Sequence, residues 1–367
     1  MSKKQRLMLT LILILIITSI GGGYWWTHRS TDDPHHQVMV DGTNISPAVS
    51  TTKGFYQSII ANYPHLKKSI DHDTPPTTYQ IPGLIRTKTL VAGTTTVTTA
   101  TDMDPQGLAI TKDYLIISAY SRHKKNNSVL YFLSKKTGNY VKQIVLPTNS
   151  HVGGIAYDPV SKRLWLTTQS GQSQATLSAY NHKTLATANF KTTHQATKFD
   201  HVVSLPNIPR SSFIAYHHNT LYTGYFSKTT QGKFISYPLS TTGMPRLSSR
   251  SDVDLRGKHL YGSSYTTNKQ LQGVTFYQGQ IMFSQSFGNT HSNLLTFDND
   301  GQKTWLDFDN DDILKKIALP PYLEQIVTDG SDLYVLFESG AAHYRSQPLK
   351  VHADRVMKLD LKSLLGQ

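Results

Sequence analysis

The chain has 367 residues, of which only 17% are charged, and it contains no cysteine, which excludes a disulfide framework, a thiolate metal site and a cysteine nucleophile. The formal net charge of +13 favours a polyanionic neighbourhood. Nucleic acid is excluded from the predicted partners because no recognised binding motif is present. Plentiful Tyr, Val, Ile, Thr and Phe predict an all-β exported protein.

The N-terminus is predicted to be a targeting segment. Lys3, Lys4 and Arg6 precede an uncharged stretch, Leu7 to Trp26, that is long enough to cross a bilayer as a helix. The basic start predicts a cytoplasmic N-terminus, so residues 1–26 form a single-pass signal anchor and the C-terminal part lies outside the cell. The alternative is a cleaved signal peptide with its apolar region at 7–20, which would give a secreted protein.

Residues 27–80 are predicted to form a stalk. They are rich in Thr, Ser, Pro, Asp and His, with one amphipathic stretch, "GFYQSIIANYPHLKKSI", that predicts a short helix. Pro75 and Pro76 then mark a boundary, since consecutive prolines do not continue a helix or a central strand. The third predicted segment is 81–367.

That segment repeats itself. Each of five units has an apolar strand, a polar or Gly-marked turn and a second apolar strand, and a third strand usually follows; the units start at Pro105, Val152, Ser211, Leu271 and Leu323. The starts are roughly 46 to 60 residues apart, a period typical of four-stranded propeller blades. The stretch 83–101 is predicted to close the last blade. The sequence therefore predicts a single β-propeller of five blades, with a sixth, degenerate blade in 186–210 as the alternative.

Polar residues recur at one end of these strands. The first two strands of a blade are antiparallel, so the start of the first and the end of the second meet at the same end of the propeller, here called the mouth. First strands start at Gln106, Gly153, Ser212, Gln272 and Glu324. Second strands end near Tyr120, Gln169, Tyr225, Gln285 and Glu338.

The chain's two glutamates lie in this predicted ring, and Asp104 and His151 come just before it. Glu324, Glu338, His151 and Asp104 are the candidate acid, base or metal-binding groups. The candidate ligand-binding residues are Gln106, Tyr120, Gln169, Ser212, Tyr225, Gln272, Gln285 and Arg345. Oxygen and nitrogen donors of this kind suit a divalent cation such as calcium, with Glu324 as the ligand. Three structural alternatives stay open: a hydrogen-bonding role for Glu324 in the channel, an ion pair between Glu338 and Arg345, and a packing role for His151.

The repeats resemble a known superfamily. In style they are similar to the lactonase, strictosidine-synthase and NHL-type propellers, and more closely to exported bacterial propeller proteins of unknown activity. The closer resemblance rests on "QGLAITKDYLIISAYSRHKKNNSVLYFLSKKTG", "HVGGIAYDP", "QGVTFYQGQIMFSQSFG" and "LYVLFESGAAHYR", and covers about residues 80–361. The superfamily's hydrolases bind a metal through a Glu on an inner strand, and Glu324 occupies a comparable position.

These observations predict a membrane-anchored extracellular binding or interaction module, a monomer whose mouth binds a cell-wall polymer, a glycan or a surface protein. No feature requires catalysis or a cofactor. The alternative is a metal-dependent hydrolase or lyase, acting on a lactone, an ester or a glycan, that uses Glu324. The sequence has no nucleophile elbow, Walker loop or dinucleotide fingerprint, which excludes serine hydrolases of that type, P-loop nucleotide enzymes and nicotinamide enzymes.

Overall fold

Five four-stranded antiparallel sheets form a β-propeller in the computed structural model. The structure describes residues 32–70, 76–170, 174–205, 208–247, 264–298 and 308–366. The first strand of each blade lies innermost, and neighbouring first strands contact one another around a central channel. The prediction of a five-bladed propeller is confirmed.

Each blade is continuous in sequence except the last, which takes its fourth strand from the N-terminal side of the propeller. The first blade has strands Met103–Ile110, Tyr114–Ser121, Val129–Ser134 and Tyr140–Val145. The second has Ile155–Asp158, Arg163–Gln169, Ala175–Asn181 and His201–Ser204. The third has Phe213–His217, Thr220–Gly224, Gly232–Pro238 and Ser264–Thr267. The fourth has Leu271–Tyr277, Gln280–Gln285, Ser292–Asp298 and Lys315–Leu319. The fifth has Leu323–Asp329, Asp332–Phe337, Arg355–Asp360 and Thr78–Gln80.

Two-residue turns join the first two strands of the third and fourth blades. His218 and Asn219 have φ of 44° and 58°, and Gln278 and Gly279 have φ of 44° and 76°. Positive φ at both central residues defines a type I′ turn, whose twist matches that of the flanking strands. These turns lie at the end of the propeller opposite the mouth.

Glycines allow the inner strands to approach closely around the channel. A Cβ atom on Gly154 would lie 2.7 Å from the backbone nitrogen of Ile214, and one on Gly273 would lie 2.9 Å from the Cα of Gln325. Backbone atoms cannot move away as a flexible side chain does, so a larger residue would force neighbouring blades apart. These positions therefore require glycine.

The last blade is closed by a different segment from the one predicted. Thr78–Gln80 pairs with the third strand of the fifth blade, with Tyr79 opposite Val356. The stretch 83–101 instead folds on itself as a separate hairpin of Thr87–Leu90 and Val97–Ala100. Gly93 lies in the intervening turn with φ of 74°, which permits the reversal. The prediction that 83–101 closes the ring was therefore wrong.

No sixth blade is formed by residues 186–205 or 208–210, which are the described part of the stretch proposed for it. The chain there forms two short helices, His182–Thr187 and Phe190–Thr193, and then the fourth strand of the second blade. Phe190 is buried and packs into the core at the first blade. The long insertion thus covers the outer edge between two blades.

The predicted stalk is packed against the propeller wherever the structure describes it. A small hairpin, Met39–Val40 and Thr43–Asn44, is followed by the predicted short helix, Thr52–Asn62, then a 3₁₀ turn, Pro64–Leu66, and a helical turn, Lys67–Ile70. The apolar side chains of this segment join the core of the fifth blade: Phe55, Ile59, Tyr63, Leu66 and Ile70. Burial of this apolar face ties the segment to the blade, and the predicted boundary at residue 81 stays a prediction.

Buried charges hold the same segment in place. Arg355, which is fully buried, pairs with Asp354 at 2.9 Å and donates a hydrogen bond of 2.7 Å to the hydroxyl of Thr52. The other oxygen of Asp354 accepts hydrogen bonds from the backbone nitrogens of Ala48, Val49 and Ser50. Residues 48–52 are therefore bonded directly to the third strand of the fifth blade.

The predicted anchor, residues 1–26, lies outside the described residues. Within the described ranges, no helix has both the length and the apolar character needed to cross a bilayer.

Two further short helices complete the chain. Ala342–Arg345 follows the second strand of the fifth blade, and Leu361–Leu365 ends the described chain. The first of them supplies a residue to the mouth.

Candidate functional site at the mouth of the propeller

Irregular pairing between strands directs polar side chains toward the channel at the mouth. In the first blade the register between the first two strands shifts between Pro105 and Leu108, and in the fifth it shifts between Leu323 and Ile326. Two residues of the inner strand then oppose one residue of its partner, as in a β-bulge, which re-aims the side chains. The shifted residues are Gln106 and Gly107 in the first blade and Glu324 and Gln325 in the fifth.

The two glutamates are buried side by side. Glu324 is 2% and Glu338 is 8% exposed, and their carboxyl groups are in hydrogen-bonding contact. One oxygen of Glu338 accepts a hydrogen bond of 2.8 Å from the amide of Gln106, and the other accepts one of 2.6 Å from the hydroxyl of Tyr344. The amide of Gln272 lies 3.4 Å from Glu324. Glu338 therefore has donors for a negative charge, whereas Glu324 is the better place for a proton.

A third buried carboxyl group, that of Asp104, is paired with an arginine. Asp104 is 1% exposed, and one of its oxygens lies 2.5 Å from the guanidinium of Arg122. Arg122 also donates a hydrogen bond to the hydroxyl of Tyr344 and lies over its ring, 4.7 Å from the centroid. An ion pair and hydrogen bonds thus link five side chains in a row into the channel: Asp104, Arg122, Tyr344, Glu338 and Glu324.

Burial raises the pKa values of the three carboxyl groups. Burial and then the charge of Glu338 raise the pKa of Asp104 to about 7, although Arg122 opposes this. Burial, followed by the neighbouring Glu338, also holds the pKa of Glu324 well above its ordinary value. Burial raises the pKa of Glu338 too, against the hydrogen bonds from Tyr344 and Gln106. Two carboxyl groups in contact cannot both ionise at low cost, so the pair keeps a proton to a higher pH than an isolated glutamate does.

His151 stays neutral at neutral pH. The surrounding protein and the nearby Lys124 and Arg122 lower its pKa to about 4, although part of its ring reaches solvent in the cavity. The ring packs edge-on against Tyr120 with 4.3 Å between centroids. It is therefore placed as a neutral hydrogen-bonding and stacking group in the cavity wall.

These groups open into a cavity of about 410 Å³ that all five blades line, here called the mouth cavity. Its wall carries hydroxyl and amide groups from several blades, among them Thr167, Thr168, Gln169, Ser211 and Ser212. Three cationic side chains and three aromatic rings also line it: Arg122, Lys124, Arg210, Tyr120, Phe226 and Tyr344. Such a cavity suits a polar ligand with several hydrogen-bonding groups.

Most of the candidate residues meet in this cavity. Eight of them line it: Gln106, Tyr120, His151, Gln169, Ser212, Gln272, Glu324 and Glu338. Asp104 lies directly behind Arg122 in its wall. Their roles in binding or chemistry stay predictions.

Three candidates lie elsewhere. Arg345 donates to the backbone oxygens of Leu84 and Gly340, so the alternative of an ion pair with Glu338 was wrong. Gln285 bonds the backbone oxygen of Lys269 and the side chain of Asn293 on the neighbouring strand. Tyr225 lies beside Arg210, 6.0 Å from its guanidinium to the ring centroid, and is not part of the cavity wall.

Sequence reasoning missed the groups that loops contribute to the mouth cavity. Tyr344 comes from the helical turn after the second strand of the fifth blade, one residue before the chosen Arg345. Arg122 and Lys124 belong to a basic cluster whose sequence position, directly after a second strand, was the available signal. Arg210 and Phe226 lie just outside the strands of the third blade and had no comparable signal.

A single glutamine closes the channel below the mouth cavity. Gln325 accepts hydrogen bonds from the backbone nitrogens of Leu108 and Ile155 and donates to the backbone oxygens of Ile155 and Ile214, at 2.7 to 3.0 Å. The fifth blade is thereby bonded to the first three through one side chain. A separate cavity of about 330 Å³, which Gln325 also lines, lies at the opposite end.

In the described part of the chain, no three or more His, Asp or Glu side chains converge in a way that would hold a metal ion. The oxygens of Glu338 accept hydrogen bonds from Gln106 and Tyr344, and the amide nitrogen of Gln272 faces Glu324. A cation would have to displace the proton that the two glutamates hold. Calcium binding at Glu324 stays a prediction.

Comparisons with known proteins find distant structural similarity and no matching sequence. No family model matches the chain, and no curated protein matches it. Among solved structures, a putative glucose dehydrogenase from Thermus thermophilus aligns over 76% of this chain and 91% of its own, with 13% identity and a TM-score of 0.39. A structural genomics protein of unknown function from Bacteroides thetaiotaomicron covers 70% of this chain and 69% of its own, with 14% identity and a TM-score of 0.34. A chain of a mitotic checkpoint complex covers 79% of this chain and 96% of its own, with 8% identity and a TM-score of 0.39. Similarity at this level carries no argument about activity, so the chemistry must be argued from the mouth cavity itself.

Proposed function

We propose that this protein is a binding module of the cell envelope, and that its mouth cavity binds a segment of a glycan. The observation that carries the proposal is the wall of that cavity, where side-chain hydroxyl and amide groups from several blades surround one space of about 410 Å³. A sugar ring presents hydroxyl groups in several directions, so a wall of converging donors and acceptors complements it. The volume of the cavity suits one or two sugar rings, so the rest of a longer glycan would lie outside the cavity.

The predicted anchor supports a place at the cell surface. Residues 1–26 carry a basic start and an apolar stretch of membrane-spanning length, which would hold the propeller outside the cell. Secretion after cleavage of this segment is the alternative. Either location gives the monomeric module access to wall polymers.

The experiment is a binding titration with an oligosaccharide panel. The full-length protein is purified in a non-ionic detergent because of its apolar segment and titrated calorimetrically with tetramers of N-acetylglucosamine, galacturonate and phosphodiester-linked N-acetylglucosamine 1-phosphate. We expect at least one of them to bind, and we expect Ser212→Phe, which fills the cavity, to abolish that binding. The matched control is Ser331→Phe at an exposed turn on the opposite end of the propeller, which leaves affinity unchanged. Absence of binding by every tetramer would overturn the proposal, as would full binding by a folded Ser212→Phe variant.

Acid–base hydrolysis is a second candidate, favoured by the contact between Glu324 and Glu338. A protonated carboxyl group beside an ionised one, with the Tyr344 hydroxyl bonded to the latter, provides both a proton donor and an acceptor. The two groups are in direct contact, which is closer than the roughly 5 to 9 Å that two-carboxylate glycosidases use. An ester or lactone therefore fits this pair better than a glycosidic bond.

The two candidates differ in what Glu324→Gln does. Hydrolysis requires that the variant lose turnover and keep ligand binding, because it removes the proton donor and preserves the shape. A binding module gives no product from any bound tetramer or from a panel of aryl esters and lactones, with either protein. Thermal unfolding with and without calcium tests the predicted metal ligand, because an ion bound only by the native state raises the Tm, and Glu324→Gln should remove that rise.

A further inference from the structure

A surface of aromatic and cationic side chains continues outward from the mouth cavity. It consists of Arg210, Phe226, Lys228 and Phe287 and is here called the rim surface. Arg210 and Phe226 line the cavity itself, and the guanidinium of Arg210 lies 3.5 Å from the backbone oxygen of Phe226. The rings of Phe226 and Phe287 are 6.2 Å apart, and the ammonium of Lys228 lies over Phe287, 4.8 Å from its centroid. The contacts therefore run without a gap from the cavity to the third and fourth blades.

The outermost ring of this surface is exposed. Phe287 is 46% exposed, which is unusual for a phenylalanine and places part of its ring in contact with solvent. One exposed apolar residue needs no explanation by itself. Here the ring belongs to a continuous contact path that begins in the cavity, so it is placed to contact the part of a ligand that leaves the cavity.

The charge around the cavity is positive where it meets solvent. Lys124, Arg210 and Lys228 are exposed, and none of them pairs with a carboxylate among the residues that the structure describes. Of the carboxyl groups at the cavity, Asp104 pairs with Arg122, and the Glu324–Glu338 pair carries one negative charge when it shares a proton. That one charge is outnumbered by the three exposed cations. Asp102 bonds to His123 and Ser121, and Asp309 and Asp311 line a different cavity with Thr229 and Lys269.

From this arrangement we infer that the ligand of the mouth cavity is an anionic glycan, and that the rim surface is a subsite for the units outside the cavity. The inference rests on the proposed function and adds to it the charge class of the ligand and the direction in which the ligand leaves. A sugar ring stacks its apolar face on Phe287 or Phe226, and an attached carboxylate or phosphate pairs with Arg210 and Lys228. Lys124, on the side of the first blade, holds a negative group within the cavity.

The observations favour a glycan over an acidic peptide. The polar wall beside the rim surface is made mainly of side-chain hydroxyl and amide groups, Thr167, Thr168, Gln169, Ser211 and Ser212. These groups complement the hydroxyl groups of a sugar. The unpaired edges of the first strands face the channel, and Gln325 already bonds those edges at Leu108, Ile155 and Ile214, which leaves little room for an extended peptide to add a strand there.

The test compares the three tetramers and an octamer of glutamate on the full-length protein at two salt concentrations. We expect the galacturonate or the phosphodiester-linked N-acetylglucosamine 1-phosphate tetramer to bind at least about tenfold more tightly than the neutral N-acetylglucosamine tetramer at low salt, with most of that advantage lost at high salt because exposed charges are screened. The galacturonate and phosphate arms distinguish carboxylate from phosphodiester recognition. Both results are compatible with the same rim surface.

Three single variants locate the subsite. Arg210→Ala and Lys228→Ala should each weaken the charged tetramer about three- to tenfold and leave the neutral one unchanged. Phe287→Ala should weaken both charged and neutral tetramers about two- to tenfold, because stacking does not depend on charge. Matched controls at the opposite end of the propeller, Lys136→Ala and Val160→Ala, should change neither affinity.

Several outcomes would overturn the inference. Equal affinity for neutral and charged tetramers, with no effect of the rim variants, would remove the rim subsite and leave the proposed glycan binding in place. Tighter binding of the glutamate octamer, with the same dependence on Arg210 and Lys228, would replace the glycan by an acidic peptide. Failure of every ligand to bind would remove both the inference and the proposed function.

Discussion

The side-chain amide of Gln106 donates a hydrogen bond of 2.8 Å to the carboxylate of Glu338, and these two residues belong to the first and the last blade. The first strand of the fifth blade contacts that of the first blade, so this bond lies where the ring of blades closes. The same carboxylate is in contact with Glu324. Polar residues of the mouth cavity therefore also stabilise the contact between the first and last blades. Measurements of the free energy of unfolding thus report on the site.

Gln106→Leu is expected to lower the free energy of unfolding by about 2 kcal/mol. The substitution keeps the size of the side chain but removes a hydrogen bond to a buried charged group, and such bonds contribute roughly 1.5 to 3 kcal/mol. Gln272→Leu is the matched control, because this glutamine also precedes a glycine on an inner strand but is half-buried and lies 3.4 Å from Glu324. Chemical denaturation of both variants measures the difference, and equal losses would contradict the special role of the Gln106 bond.

Gln325→Leu should be more damaging than Gln106→Leu. It leaves the buried backbone nitrogens of Leu108 and Ile155 without their acceptor, and each orphaned group costs roughly 1 to 3 kcal/mol. We expect a loss of about 3 kcal/mol or more in the free energy of unfolding. If the variant is too unstable to purify, Gln325→Asn keeps the chemistry and shortens the reach, and should give a smaller loss. A loss below about 1 kcal/mol in Gln325→Leu would show that the bonds across the channel contribute little.

The repeats made the blades and the end that bears the site predictable from sequence. Strands such as Tyr114–Ser121 have a strong local pattern, and antiparallel pairing alone places the start of one strand beside the end of the next. The closing strand was missed because Thr78–Gln80 has only three residues, and its place depends on pairing with Arg355–Met357, far away in sequence. The stretch 83–101 has the stronger strand pattern but pairs with itself.

The details of the candidate site were less predictable for a related reason. A strict two-residue alternation would place Glu324 and Gln325 on opposite faces of the strand. The shifted register instead gives Glu324 to the mouth cavity and Gln325 to the channel below it. Tyr344 and Arg122 reach the site from segments outside the strands, where local patterns do not fix direction. Such residues are identified only when the tertiary structure brings them together.

Glu324 is expected to make the protein less stable as the pH rises above about 4.5. Burial and Glu338 raise its pKa in the folded state above the ordinary value of 4.5, so the native state binds more protons than the unfolded state from that pH upward. The free energy of unfolding therefore falls with rising pH in this window. Glu324→Gln removes the effect, so the Tm of the variant should exceed that of the wild type increasingly between about pH 5 and pH 8, by a few degrees at the upper end. The difference between the two proteins cancels the contributions of other groups that titrate in both.

Asp102 provides a control, because its pKa is shifted in the opposite direction to that of Glu324. Partial burial raises its pKa, but hydrogen bonds from His123 and Ser121 lower it by more, so the net shift is downward. Asp102→Asn should therefore lower the Tm at neutral pH, and this loss should disappear as the pH falls through the ordinary range of an aspartate. A difference between wild type and Glu324→Gln that does not change with pH would mean that the pKa of Glu324 is the same in the native protein as in the unfolded chain.

Asp354→Ala is expected to release the N-terminal segment from the propeller. The substitution leaves the fully buried Arg355 without its closest carboxylate and removes the acceptor of three backbone N–H groups in residues 48–50, so we expect a loss of about 3 to 5 kcal/mol in the free energy of unfolding. Cleavage between residues 32 and 70 in limited proteolysis should become faster before the propeller itself is cut, because the segment is held mainly by this contact and by its apolar face.

Asp354→Asn retains one acceptor oxygen and should show the same order of cleavage with a smaller loss in the free energy of unfolding. The control is Asp329→Asn, which removes a half-exposed ion pair with Lys135 and should cost less than about 1 kcal/mol. Unchanged cleavage in both Asp354 variants would mean that burial of the apolar helix face alone holds the segment.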